Sequence, residues 1–422
     1  LRSEYEESLK ELAQFGNETS LYVHVPFCAQ RCWYCACNVS ILPNKEAAAP
    51  YLDHLCKELR TVAALLGEER KLRDVHLGGG TPNFLNSSQF AQLMETIHES
   101  FQLGETSELA IEMDPREATV TQIEDVARWG GRRISMGVQD LDPDVGKAVG
   151  RSMNFEDLEI LVEAARANGI NSLNFDLMYG LPKQNLSSFA ETIEKVLELR
   201  PERAAIFGYA HVPWIRPQQR RLEKSGLPSP KQRVKLAAQA TRMFVEAGYV
   251  SVGMDHFALP EDSLAKALQN GTLGRNFQGY TVGDSSDLIG VGASAIGHLR
   301  NIEKPLYVQN PKSPRPYLRS KSDTLLTGHR LTEGDVLRGR VISDILCGRT
   351  TSVDSKTKLW ERFPTAWVAL AHFESDGLVV RHSEYLEVTE MGRYFLRSIA
   401  MQFDGYIDTQ AECGSRKYSA VL

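Results

Sequence analysis

The chain has 422 residues, 42 % of them hydrophobic, enough for one large domain and a smaller one. Its 48 basic and 54 acidic residues leave a formal charge of −6, which excludes the broad basic footprint of a nucleic-acid binder. No apolar run approaches the ~20 residues of a membrane span and residues 1–10 lack a signal peptide's hydrophobic segment, so a cytoplasmic location is expected, although the chain starts at Leu1 rather than Met.

Between about residues 21 and 257, short β-branched or apolar runs alternate with amphipathic stretches, the pattern of repeated βα units around a parallel sheet. Strands are predicted over 21–25, 74–77, 108–113, 133–138, 172–178, 203–209 and 250–254, with six helical segments between them. The clearest helix covers 155–168, where Leu158, Leu161, Val162 and Ala165 share a face and Gly169 follows as a C-cap. An α/β fold is expected, closing into a full or partial barrel with its chemistry at the C-terminal ends of the strands. Past Leu259 the alternation weakens, and 301–322 reads as a Pro- and Lys-containing connection. A catalytic domain over 1–322, with its core at 21–257, is therefore expected to precede a second unit over 323–422. In that unit helices are predicted over 335–346 and 365–375, then a turn at Asp376 and Gly377. A hairpin of 378–380 with 386–388 and a last helix over 390–403 complete a small, mostly helical, winged-helix-like domain.

Seven cysteines stand at 28, 32, 35, 37, 56, 347 and 413, four of them within ten residues. An odd count with such clustering argues against a disulfide framework and for a metal or redox site in a reducing compartment. The run Cys28-Ala-Gln-Arg-Cys32-Trp-Tyr-Cys35 puts three thiols on the loop after the first strand. Thiolates are the usual ligands of iron–sulfur clusters. Three of them leave one iron open to bind an amine and a carboxylate, whereas a four-thiolate cluster serves electron transfer. A structural zinc site favours CxxC pairs with a second pair at a distance, and here the only nearby fourth thiol is Cys37, one residue beyond Cys35.

This loop, with Tyr34 before its last cysteine, resembles the radical S-adenosylmethionine superfamily. The run Gly78-Gly79-Gly80-Thr81-Pro82 after the second strand extends the resemblance, since glycines let the backbone approach a ligand's ammonium group. The stretches 111–117, 133–140, 174–184, 209–213, 253–258 and 275–281 narrow it to the oxygen-independent coproporphyrinogen III oxidases, over nearly the whole chain. The resemblance implies a partial (β/α) barrel of about six parallel βα units and a 4Fe–4S cluster on Cys28, Cys32 and Cys35. It implies a first S-adenosylmethionine held by Tyr22, Gly79, Gly80, Thr81, Glu112, Gln139, Arg151 and Asp176, and a second contacted by Phe277, Gln278 and Ile296.

The implied reaction starts with a one-electron reductant such as flavodoxin or ferredoxin and ends with two propionates of a porphyrinogen converted to vinyl groups. Each conversion begins with a 5′-deoxyadenosyl radical that takes a hydrogen from the propionate β-carbon, after which carbon dioxide and an electron are lost. The product would be protoporphyrinogen IX, in porphyrin and haem biosynthesis, and a monomer is expected. Cys37 is expected to act in catalysis in a role left open, and not as a cluster ligand. His24, His211 and His256 read as packing histidines. The sequence departs from the family pattern twice: from Leu1 onward it does not contain the family's aromatic- and proline-containing segment before the first helix, and Phe207-Gly208-Tyr209 and Trp214 sit at a strand end where they are expected to alter the substrate pocket. A relative that methylates haem or a natural product and a haem-binding chaperone relative are alternatives; Cys37 and the run Asn276-Phe277-Gln278-Gly279-Tyr280 favour the oxidase.

Overall fold

Helix α1 (Arg2–Ala13) turns Tyr5, Leu9 and Leu12 inward and leads to β1 (Thr19–Val25), whose seven residues are all buried because both faces of the sheet are covered there. The computed structural model describes residues 2–15, 18–67, 70–283, 287–319, 326–349, 351 and 358–407. After β1 come α2 (Ala49–Leu66), β2 (Lys71–Gly79), α3 (Ser87–Ser100), β3 (Gln102–Met113), α4 (Val120–Arg128) and β4 (Gly131–Gln139). Helices α5 (Pro143–Val149) and α6 (Phe155–Ala167), strand β5 (Ser172–Tyr179), helix α7 (Leu186–Glu198) and strand β6 (Arg203–Gly208) complete the repeat. Strands β1 to β6 lie side by side in chain order, each parallel to its neighbour, as the sequence predicts.

Local chemistry explains the helix ends. Asn86 and Gln89 cap α3 reciprocally and Thr119 and Gln122 do the same for α4, each pair satisfying two backbone N–H groups that the first turn leaves free. Helix α6 buries Leu158, Leu161, Val162 and Ala165 as the periodicity requires, and Gly169 leaves it at φ +75°. Alternation also sorts the strands. On β5, Leu173, Phe175, Leu177 and Tyr179 join the main apolar core, while Asn174 and Asp176 face the opposite side. The polar side chains of β2 to β6 line a shared cavity of about 550 Å³, so the sheet wraps into a partial barrel with a polar lumen.

Two departures follow. After α8 (Pro230–Glu246), the predicted seventh strand forms as β7 (Val250–Gly253), yet it does not pair with β6. A tight turn with Met254 at φ +42° sends β8 (His256–Ala258) between them, antiparallel to both, where Phe257 and Ala258 are buried. Beyond α9 (Ser263–Gln269) and the hairpin of β9 (Leu273–Asn276) and β10 (Gly279–Val282), the chain crosses to the far edge. There β11 (Asp287–Val291) pairs parallel to β1, and β12 (Ile296–Leu299), β13 (Leu306–Gln309) and β14 (Thr327–Arg330) extend the sheet antiparallel to twelve strands. The segment 301–322 is thus not a bare connection: it holds β13 and the short helix α10 (Pro314–Arg319), elements too brief for periodicity to reveal. Residues 320–325 lie outside the described residues, as does Cys413.

The C-terminal unit has its own core of Val341, Ile345, Leu370, Val379, Leu386, Ile399 and Phe403. Helices α11 (Glu333–Leu346) and α12 (Pro364–Ser375) and the hairpin of β15 (Val379–Arg381) and β16 (Leu386–Val388) build it as expected. The predicted last helix is split into a 3₁₀ turn at Gly392–Phe395 and α13 (Leu396–Met401). Tyr280 of β10 donates to the Leu346 carbonyl at 2.6 Å and Arg349 to the Leu273 carbonyl at 2.7 Å, seating the unit on the β9–β10 hairpin. Among the described residues no helix is long and apolar enough to cross a membrane.

Candidate active site

The cysteine loop leaves β1 at its C-terminal end, with Cys32 buried, Cys28 and Cys35 half-buried and Cys37 exposed. Among the described residues no three His, Cys, Asp or Glu side chains converge on one point, as a single zinc ion requires. Each thiolate of an iron–sulfur cluster meets a different iron, so three cysteines on one loop can serve a cluster without meeting at a single point. A distant segment clamps the loop: Gln219 donates to the Tyr34 carbonyl at 2.8 Å, Gln218 to that of Cys35 at 2.9 Å, and Arg216 to Ala36 and to the Asn38 side chain at 2.8 Å. Nothing local in the sequence marks these residues, which lie some 180 positions away.

Two arginines face the central sulfur. Arg116 and Arg151 each place a guanidinium nitrogen 3.5 Å from Cys32 Sγ, and Asp114 bridges them at 2.6 and 2.9 Å. Burial alone would raise the Asp114 pKa; the hydrogen bond from Arg116 and the charge of Arg151 outweigh it and hold the carboxyl below its ordinary value. Asp114 and Arg116 were missed as site residues, although an acid directly after a strand end was a signal. Arg151, expected among the residues that hold the first S-adenosylmethionine, here pairs with Asp114 and the Gly137 carbonyl. Cys35 is brought down to about 6, chiefly by its hydrogen bond with Cys37, and Cys28 is pushed up to about 12 by burial.

That contact gives Cys37 a positioning task a hydroxyl can imitate. Cys37→Ser is expected to keep its iron on anaerobic reconstitution; an iron-free variant would make the fourth thiol a ligand.

The remaining predicted residues gather around the strand ends. Tyr22 in the middle of β1 is hydrogen-bonded to His24 at 2.9 Å, stacks on His76 at 5.9 Å and meets the Phe277 ring edge-on at 5.3 Å. Glu112 accepts from Gly79 N at 3.1 Å and bonds His76 Nε2 at 3.0 Å. Burial would raise its pKa, yet these partners hold it below the ordinary value, while burial and the Glu112 charge push Asp176 up to about 7. The two neighbouring carboxyls are thus pushed apart, Glu112 toward its ionised form and Asp176 toward its protonated one. Thr81 accepts from Asp114 N at 2.9 Å, tying the glycine loop to β3. Gln139 sits at φ +68°, a strained conformation for a side chain of its size, with Oε1 buried and unpartnered. Gln278 lines the lumen with Glu112 and Asp176, and Nε2 is likewise buried without a partner. Ile296 does not reach the lumen; its carbonyl abuts Gly290, the register partner of Tyr22.

The histidines divide. His24 is a strut between Tyr22 and Ser294, and His211 joins Tyr209 and Glu223. His256 packs edge-on against Phe207 and Tyr280 but also lines the lumen, its Nδ1 unpartnered, and burial lowers its pKa to about 3. Of the departures from the family pattern, Phe207 lines the lumen and Trp214 is exposed beside the segment that clamps the cysteine loop.

The family model of the radical S-adenosylmethionine superfamily matches residues 22–196. An oxygen-independent coproporphyrinogen III oxidase of Pseudomonas aeruginosa is 39 % identical over 410 residues, covering 95 % of this chain and 88 % of its own. That of Escherichia coli is 38 % identical over 411 residues, with 96 % and 88 % covered. The solved structure of Escherichia coli coproporphyrinogen III oxidase (HemN), described as a radical S-adenosylmethionine enzyme, superposes with a TM-score of 0.89 at 37 % identity, over 94 % of this chain and 93 % of that one. The chain belongs to the oxygen-independent coproporphyrinogen III oxidase family.

The cofactors of this oxidase family are a 4Fe–4S cluster and S-adenosylmethionine, and the residues present fit both. The donor set offers three thiols on one loop with two guanidiniums to offset thiolate charge. The glycine loop is a cradle that side chains would fill: a Cβ on Gly78 would meet Glu112 at 2.7 Å and one on Gly80 the Phe27 carbonyl at 2.6 Å. The orphaned amide atoms of Gln139 and Gln278 supply an acceptor and a donor that only a bound polar molecule would satisfy.

Proposed function

We propose that this chain carries out the oxygen-independent oxidative decarboxylation of two propionate side chains of coproporphyrinogen III to vinyl groups, giving protoporphyrinogen IX. The observation that carries this reading is the likeness to the Escherichia coli oxidase over 94 % of the chain, C-terminal unit included, because the barrel core alone serves many chemistries. When bound, the cluster and S-adenosylmethionine supply the hydrogen-abstracting radical. Cys28, Cys32 and Cys35 hold the cluster, and Arg116 and Arg151 temper the charge at Cys32. The Gly79, Gly80 and Thr81 backbone and the Glu112 and Asp176 carboxyls orient one cofactor molecule, with Tyr22, Gln139 and Arg151 around it. Asp176, its pKa raised by burial and the Glu112 charge, accepts a hydrogen bond from a ribose hydroxyl when ionised and can donate one when protonated. Enclosure in the lumen keeps the radical from water and from unintended targets.

The finer assignments belong to the same proposal: a catalytic domain over 1–322 with β14 of its sheet beyond that boundary, a C-terminal domain over 323–422, a flavodoxin- or ferredoxin-like reductant, and a monomer in the cytoplasm. Anaerobic incubation with coproporphyrinogen III, reductant and S-adenosylmethionine is expected to yield protoporphyrinogen IX with about two methionines per product, one for each propionate converted; a methylated product instead would favour a methyltransferase relative.

Phe277, Gln278 and Ile296 are assigned to a second S-adenosylmethionine. The ring of Phe277 packs against the cofactor and the Gln278 amide donates to it. Replacing Phe277 and Gln278 together by Ala is expected to reduce bound S-adenosylmethionine from two molecules per chain to one, with iron content unchanged. A parent that binds only one, or a double variant that still binds two, would make them wall residues.

A further inference from the structure

A second cavity, of about 500 Å³, opens where the sheet meets the C-terminal unit, walled by the β9–β10 hairpin, strands β12 and β13, and helix α11. It shares a wall with the site above, since Phe277, 46 % exposed, lines it while touching Tyr22. Its other apolar surface is Tyr307 on β13 and Val336 on α11, 40 % and 39 % exposed. His298 stacks on Tyr307 at 3.8 Å and burial pushes its pKa down to about 3, so this wall is aromatic and uncharged at neutral pH.

Arg275, Arg300 and Arg338 also line the cavity. Arg275 is the informative one: its Nη1 is buried without a hydrogen-bond partner while the guanidinium lies 5.1 Å from the Tyr280 ring. The two acids in the lining are already engaged. Asp335 caps α11 and accepts from Tyr406 at 3.0 Å, and Asp404 accepts from Tyr406 N at 2.8 Å. A cavity with flat apolar walls and guanidiniums suits a ligand with an apolar ring face and carboxylates at its edge. The proposed substrate has that form, and two of its propionates stay intact.

We propose that this cavity binds the unreacting edge of the macrocycle, with the ring against Tyr307 and Val336 and the two retained propionates against Arg275, Arg300 and Arg338. The inference rests on the porphyrinogen reading. It makes the C-terminal unit, through α11, one wall of the substrate site.

The test uses reconstituted holoenzyme. Arg275→Gln is expected to raise KM for coproporphyrinogen roughly 10–100-fold, the range for losing one charge-assisted contact, with iron content and bound S-adenosylmethionine as in the parent. Arg275→Lys should recover part of the loss. Val336→Glu leaves all three arginines in place but exchanges an apolar wall contact for a carboxylate, so it should raise KM by lost packing and repulsion. The tetramethyl ester of coproporphyrinogen should compete weakly against the parent, and the preference for free acid over ester should shrink in Arg275→Gln. If the parent converts coproporphyrinogen while Arg275→Gln and Val336→Glu keep its KM, the cavity is not the carboxylate site. If the parent itself converts no coproporphyrinogen, the substrate reading has failed, and this assignment with it.

Discussion

Replacing Cys28, Cys32 or Cys35 by Ala is expected to leave the chain without a cluster after anaerobic reconstitution and to reduce porphyrinogen turnover to background. Each thiolate serves one iron, and among the described residues the other cysteines offer no spare donor, since Cys56 and Cys347 are buried in apolar clusters elsewhere. Cys37 is the nearest substitute, yet it is bonded to Cys35 and exposed, so it would have to abandon both the contact and the loop geometry. Iron and sulfide analysis of each purified variant decides the matter before any activity is measured. Full iron in any one of the three would remove that residue from the ligand set. Circular dichroism should remain that of the parent, because the clamp from Arg216, Gln218 and Gln219 holds the loop by its backbone carbonyls and not by its sulfurs.

Asp114→Asn is expected to destabilise the protein by about 3–5 kcal/mol, the usual cost of removing one partner from a buried ion pair, and to impair cluster retention. The carboxylate and its two arginines are 9–11 % exposed, so solvent does little to screen the two guanidiniums left facing each other. Asp114→Glu keeps the charge and should lose less. The pH dependence has a definite sign. Because the folded pKa of Asp114 lies below the ordinary carboxyl value of about 3.9, its stabilisation is complete above that value and is lost as pH falls through the lowered folded pKa. Denaturation midpoints measured down the acid limb should therefore fall more steeply for the parent than for Asp114→Asn. Equal midpoints at neutral pH would mean that the two arginines find other partners and that the bridge is incidental.

Much of the site could be read before folding because it is written in short-range pattern. The spacing of Cys28, Cys32 and Cys35 fixes three sulfurs on one loop whatever surrounds it, and two-residue alternation along 172–179 sends Phe175 and Leu177 to the core and Asp176 to the lumen. The order of β1 to β6 follows equally, since each βα unit returns the chain beside the strand it left.

Other features depend on which distant segments gain most by touching, and no window of sequence contains that comparison. The return of β11 to the free edge of β1 brings Ile296 beside the register partner of Tyr22, and the β9–β10 hairpin sets Phe277 against Tyr22 itself. Short strands such as Thr327–Arg330 carry too few residues for periodicity and exist because an edge was left to pair. The clamp on the cysteine loop spans some 180 residues and consists of side-chain amides and a guanidinium meeting carbonyls, groups that look like ordinary surface polarity until the fold presents them with acceptors. Asp114 likewise reads as an acid at a strand end, and only the approach of Arg151 from the end of α5 turns it into the bridge over the Cys32 sulfur.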